Sequence, residues 1–203
     1  MLRAKILRGA TVSLGLCSVA VLCAIGAIET IGARTARAQE PTPEGIEFVG
    51  SEIPGLDTIY LRGVGSTNPG GLLRVEVWAN EVTDLYGLSF VLQFPQTHFR
   101  FPKMRSTVFV EGPFLGEGGG ASTALAVRQV GQEIIIGNTR TGQVPGVSGS
   151  GLLMTLEFRG LGVAGKKRFR LRRTNAFDSS GAVAEDYSWL SGKAIVTVSE
   201  SPG

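Results

Sequence analysis

The chain has 203 residues, with 20 Lys and Arg against 17 Asp and Glu, a single His and two Cys. So few sulfur and imidazole groups exclude the usual zinc sets and leave little for thiolate catalysis. The formal charge of +3 gives no case for nucleic acid, because the basic excess sits in an apolar leader.

That leader comes first. Arg3, Lys5 and Arg8 precede an apolar run from Ala10 to Ile28, and Ala36-Arg37-Ala38 follows as a small-x-small site. This is the layout of a secretory signal peptide over residues 1–38, an apolar signal helix cleaved near Ala38. The competing reading is an uncleaved membrane anchor, since the run nearly suffices to span a bilayer. Cleavage removes Arg3, Lys5, Arg8, Arg34, Arg37 and Glu29, which leaves 15 of the 20 basic and 16 of the 17 acidic residues. It also removes Cys17 and Cys23, so the exported chain rests on its core and not on disulfides. The expected location is secreted, periplasmic or at the cell surface.

Residues 39–55, QEPTPEGIEFVGSEIPG, are rich in Pro, Gly and Glu and predict a flexible linker. Residues 56–199 then read as one all-β domain, and 200–203 as a short tail. Thr58–Val64 is the first expected strand. In Leu73–Ala79, Leu73, Val75, Val77 and Ala79 share one face. In Tyr86–Phe94, Tyr86, Leu88, Phe90, Leu92 and Phe94 face inward, with Gly87, Ser89, Val91 and Gln93 opposite. A short segment near Phe99–Phe101 follows, then a hairpin of Ala124–Arg128 and Glu133–Asn138 around Gly131. GVSGSG (146–151) predicts a tight loop before an inward set of Leu152, Met154, Leu156 and Phe158. Phe169 and Leu171 alternate with Arg168, Arg170 and Arg172, and Ala194, Val196 and Val198 close the chain. About nine short strands with period-2 patterning and no helical period predict a two-sheet antiparallel sandwich.

Four catalytic or ligand chemistries compete with a purely structural reading of this pattern. Gly146-Val147-Ser148-Gly149-Ser150 lacks the last Gly of a G-x-S-x-G nucleophile turn, and a strand follows where a helix is needed. The glycines at 116 and 118–120 precede a strand too, so they do not form a phosphate loop. Asp178, Glu185 and Asp186 offer oxygen ligands, but their spacing is not that of a calcium loop. No carboxylate pair stands between aromatic walls as glycoside hydrolysis would need. The expectation is a binding protein, not an enzyme, with no cofactor.

The order of LLRVEVWAN, DLYGLSFVLQF, ALAVRQVGQEIIIGN, GVSGSGLLMTLEFRG and FDSSGAVAEDYSWLSGKAIVTV resembles the cohesin domain family. The resemblance spans Thr58 to Val198. It is carried by the Gly-Ser stretch before LLMTLEF and by Asp178, Gly181, Gly192, Val196 and Val198. It implies a nine-stranded jelly-roll sandwich, related in fold to bacterial carbohydrate-binding modules, that acts as an extracellular receptor for dockerins. Any calcium would belong to the dockerin. The resemblance places Gly87 and Ser89 where many members carry an Asn and an Asp that bond the dockerin.

The expected partner-binding face comprises Gly87, Ser89, Val91, Gln93, Leu125, Val127, Glu133, Ile135, Arg168, Arg170 and Arg172. The arginines read either as protection of an exposed sheet edge or as a cationic docking surface. The alternative function is carbohydrate binding in polysaccharide catabolism, with Trp78, Tyr187 and Trp189 as the sugar-stacking rings.

Overall fold

The computed structural model describes residues 44–102, 108–118 and 121–199. The leader expected over 1–38 and the tail at 200–203 lie outside the described residues. Among the described residues the strands are β1 (Gly45–Gly50), β2 (Thr58–Val64), β3 (Leu72–Leu85), β4 (Gly87–Gln93), β5 (Phe99–Arg100), β6 (Phe109–Glu111), β7 (Ser122–Val130), β8 (Glu133–Thr141), β9 (Val147–Gly160), β10 (Gly165–Phe177), β11 (Ser188–Leu190) and β12 (Gly192–Thr197). The expected strands are all present, and β1, β6 and β11 are additional. One sheet has the order β1-β12-β10-β4-β8-β7 and the other β11-β2-β3-β9-β5, with β6 also on β9. All pairings are antiparallel except β11 on β2.

The core lies between the two sheets and follows the period-2 positions. Leu73, Val75 and Val77 of β3 are fully buried, as are Leu92 of β4, Leu156 and Phe158 of β9 and Phe169 of β10. Phe158 is the hub of an aromatic cluster, 5.1 Å from Phe169 edge-on and 5.2 Å from both Phe94 and Phe101. Its contact with Phe169 locks one sheet to the other, and edge-to-face geometry adds to the burial of the rings.

Three local expectations are corrected. The segment expected as a linker supplies β1, which pairs with β12 from Gly45↔Thr197 to Gly50↔Gly192. Ile46 and Phe48 are the reason: Ile46 is buried, and Phe48 packs edge-on against Phe169 at 5.7 Å. Room for the Phe48 ring exists because Gly63 and Gly192 have no side chain; a Cβ at Gly63 would meet Phe48 Cγ at 2.5 Å.

GVSGSG is not a loop. Val147 to Gly151 belong to β9 and pair with β3 through register shifts at Ala79/Val82 and Val82/Leu85. The glycines suit an irregular ladder, and Gly149 sits at φ 117°.

The third correction is one residue wide. Val77 pairs with Met154 but Trp78 with Leu152, so Leu153 is the extra residue of a bulge. Leu153 is fully buried, while Leu152 turns to the outer side with Trp78.

Candidate functional site

The strands β10, β4, β8 and β7 lie side by side, and their registers define the outer face row by row. Directly opposed residues of an antiparallel pair point to the same side. The first row is Arg170, Gln93, Glu133 and Val130; the second is Arg172, Val91, Ile135 and Arg128. The third is Asn175, Ser89, Gly137 and Ala126; the fourth is Phe177, Gly87, Thr139 and Ala124.

These rows have two characters. In the second, Ile135 is 41% exposed beside Val91, which is buried at 4%, and a guanidinium stands at each end of the row. Below it lies a floor of small residues: Ser89, Gly137, Ala126, Gly87 and Ala124. Side chains this small allow a partner's backbone or helix to approach closely. Asn175 Nδ2 donates to Ser89 Oγ at 3.5 Å, the one side-chain hydrogen bond across that floor among the described residues.

Most expected face residues meet here: Gly87, Ser89, Val91, Gln93, Glu133, Ile135, Arg170 and Arg172. Leu125 and Val127 do not. Leu125 pairs with Asn138 and Val127 with Ile136, both inward positions, and both side chains pack against the core. The outward residues of β7 are Ala124, Ala126, Arg128 and Val130. Arg168 is also off the four-stranded face, because Gly165–Phe169 pairs with β12 and only Arg170–Phe177 pairs with β4. Arg168 stands opposite Lys193.

In strand order β10 lies between β12 and β4, but it pairs with β12 only along Gly165–Phe169 and with β4 only along Arg170–Phe177. Each segment keeps one unpaired side, so protection of that open side accounts for the charges as well as docking does. Between Arg172 and Asn175 the register shifts, with Arg173 at φ 49°, a bulge that sharpens the local twist. Among the described residues the one ion pair is Arg74 with Glu157, at 3.2 Å on the opposite sheet. Arg128, Arg168, Arg170 and Arg172 thus present their charge to solvent.

The alternative sugar-stacking rings do not form a platform. Trp189 pairs with Ile59, which pairs with Ala79, so it points inward and packs on Phe90 at 5.8 Å. Trp78 pairs with Tyr60 and points outward. Its indole N–H donates to Glu76 at 2.8 Å, and the Arg62 guanidinium covers its ring at 4.9 Å. Tyr187 packs against the core and donates its hydroxyl to the Thr83 carbonyl at 2.9 Å. Burial, then the nearby Asp57 carboxylate, push the pKa of that hydroxyl up to about 12.

The residues considered for catalysis have structural partners. His98 is buried between Thr97 Oγ1 at 2.8 Å and the Ala164 carbonyl at 3.2 Å. Ser148 Oγ accepts from the Asp84 amide at 3.0 Å. Asp178 Oδ1 accepts from Ser180 N, Ser180 Oγ and Ala182 N, which closes its own turn. Among the described residues no three His, Cys, Asp or Glu side chains gather as a metal site.

Sequence reasoning missed Lys193, Arg128, Asn175 and the small-residue floor. Arg128 was legible from alternation in β7 once Leu125 is turned inward. Lys193 was not, because its place beside Arg168 depends on β12 joining this sheet.

No family model matches the sequence, and no curated protein matches it. Solved structures do. The second type II cohesin module from the adaptor ScaA scaffoldin of Acetivibrio cellulolyticus is 12% identical, over 79% of this chain and 94% of that one, with a TM-score of 0.53. A chain of a complex between a CaDoc0917 variant and CaCohA2 is 17% identical, over 64% of this chain and 92% of that one, with a TM-score of 0.51. The fold of this chain is that of the cohesin modules.

Proposed function

We propose that the chain is an exported, non-catalytic cohesin-type receptor of jelly-roll topology that docks a protein partner on the outer face of β10, β4, β8 and β7. One observation carries this reading: Ile135, 41% exposed, stands in one row between Arg172 and Arg128, above a floor of small side chains. An apolar centre with charged ends is the anatomy of a protein interface. A face of this kind meets an acidic surface with complementary charge, which speeds encounter and fixes register. The fold likeness to a chain from a Doc–Coh complex supports a partner of the dockerin kind. The missing Asn and Asp at Gly87 and Ser89 argue for contacts of a different chemistry, led by the arginines. Export rests on the leader sequence.

Capture from the exported and envelope fractions of the producing cell, with and without calcium, tests the reading. Ile135→Asp should abolish capture, while Val110→Asp on the other sheet, where Val110 is 55% exposed, should leave it intact. Equal capture by both variants would overturn the assignment of the face.

A further inference from the structure

A notch opens beside the face, where β12 parts from β10. The two strands pair as far as Phe169↔Gly192; beyond it the chain at Ser191 leads back to β11 in the other sheet. Ser191 Oγ accepts the Leu171 amide at 3.0 Å, so a side chain replaces the lost ladder. Ser51 closes the far wall, donating its hydroxyl to the Ser191 carbonyl at 2.6 Å. The resulting cavity has a volume of about 520 Å³, and Arg168, Arg170, Arg172 and Lys193 line it.

The charge arrangement there is costly as it stands. Arg168 and Lys193 are directly opposed across β10 and β12, and like charges in that relation destabilise a sheet. No carboxylate lies within ion-pair distance of any of the four cations among the described residues. A bound anion would remove the repulsion and give the guanidinium forks their planar, two-point partners.

The spacing and the lining select the kind of anion. Arg168, Arg170 and Arg172 are alternate residues of one strand, so they repeat at about 6.7 Å. Alternate side chains of an extended peptide repeat at the same distance. Among the described residues the notch wall contains no aromatic ring, and flat rings are what a sugar or a nucleobase would stack on. Arg170 and Arg172 also belong to the docking face, so a partner seated on the face reaches the notch without a gap.

We propose that the notch receives an extended acidic segment of the partner, with alternate carboxylates on Arg168, Arg170 and Arg172 and Lys193 closing the site. This inference rests on the protein-receptor reading above. The test is fluorescence anisotropy of the full chain with a labelled peptide of alternating Glu and Ser. Comparators are the same peptide with Gln for every Glu, oligogalacturonate and inorganic phosphate. The Glu peptide should bind, weaken as salt rises, and lose at least about tenfold in affinity in the double variant Arg168→Glu, Lys193→Glu. That variant keeps a like-charge pair and should melt near the parent temperature. The single variant Lys193→Glu should melt higher, because it sets opposite charges across the two strands. Val110→Asp, on the other sheet, should leave peptide binding unchanged.

Peptide binding that survives the double variant, or that the Gln peptide matches, overturns the notch. Oligogalacturonate or phosphate binding as tightly as the peptide overturns the choice of ligand. If the peptide fails while Ile135→Asp still abolishes partner capture, the notch falls and the docking face stands. If Ile135→Asp leaves capture intact, the docking face itself falls.

Discussion

Ser150 Oγ accepts the backbone amide of Glu81 at 2.8 Å, across the β3–β9 seam. Two residues back along β9 the same device recurs: Ser148 Oγ takes the Asp84 amide at 3.0 Å. Glu81 and Asp84 have φ of 46° and 51°, where the backbone cannot continue an ordinary ladder. The two serines therefore bond amides that the irregular ladder leaves over. Ser150→Ala should cost about 1 kcal/mol, the net worth of one hydrogen bond plus part of an unsatisfied amide. Glu81→Gly should be neutral or stabilising by up to about 1 kcal/mol, since it relieves a left-handed non-glycine residue. Urea unfolding midpoints measure both.

Asp84 ties three segments together. Its carboxylate accepts from Ser179 Oγ at 2.7 Å, Ser179 N at 3.2 Å and Gly146 N at 2.9 Å. The Ser179 hydroxyl bond is the main reason its carboxyl is held below the usual carboxylate value. A depressed folded-state value means the contribution is full above the unfolded pKa, about 3.9, and is lost as pH falls through the folded value. Ser179→Ala should raise the Asp84 pKa and flatten the loss of stability below about pH 4. NMR titration of the Asp84 carboxyl and unfolding curves across that range check the pair of effects.

Arg140 is a buried cation with no carboxylate partner among the described residues. Its guanidinium donates to the carbonyls of Leu115, Glu117 and Gly118, which pins the short 3-10 turn Phe114–Gly116 to the inner side of β8. Arg140→Ala should destabilise by about 2–4 kcal/mol, because several carbonyls lose a charged donor at once. Hydrogen exchange should show the turn opening before the sheets do.

Phe48 holds β1 by lying over Gly63 and Gly192. Gly192→Ala should force the ring outward and cost about 1–3 kcal/mol. Limited proteolysis should then cut between Gly45 and Gly50, a segment that the parent protects through its pairing with β12.

Much of the sandwich was legible. The alternation in Leu73–Ala79 and in Leu88–Leu92 named inward faces that the structure retains, because each strand has one clean apolar side. The failures have physical causes. Ile134, Ile135 and Ile136 are all apolar, so the hairpin offers no clean face and Leu125 and Val127 were turned the wrong way. A bulge exchanged Leu152 for Leu153, and the left-handed residues that accompany the irregular pairing, Glu81, Asp84 and Arg173, are not glycines. β1 was hidden because Ile46 and Phe48 stand among Pro, Gly and Glu. The docking rows needed registers that no single strand contains.

The most direct test of the docking face is a methyl NMR footprint of the captured partner. Signals of Ile135, Val91 and Ala126 should broaden or shift on binding, while those of Val110 and Leu72, exposed on the other sheet, should not move. A footprint on Val110 and Leu72 with Ile135 and Ala126 unchanged would contradict the account.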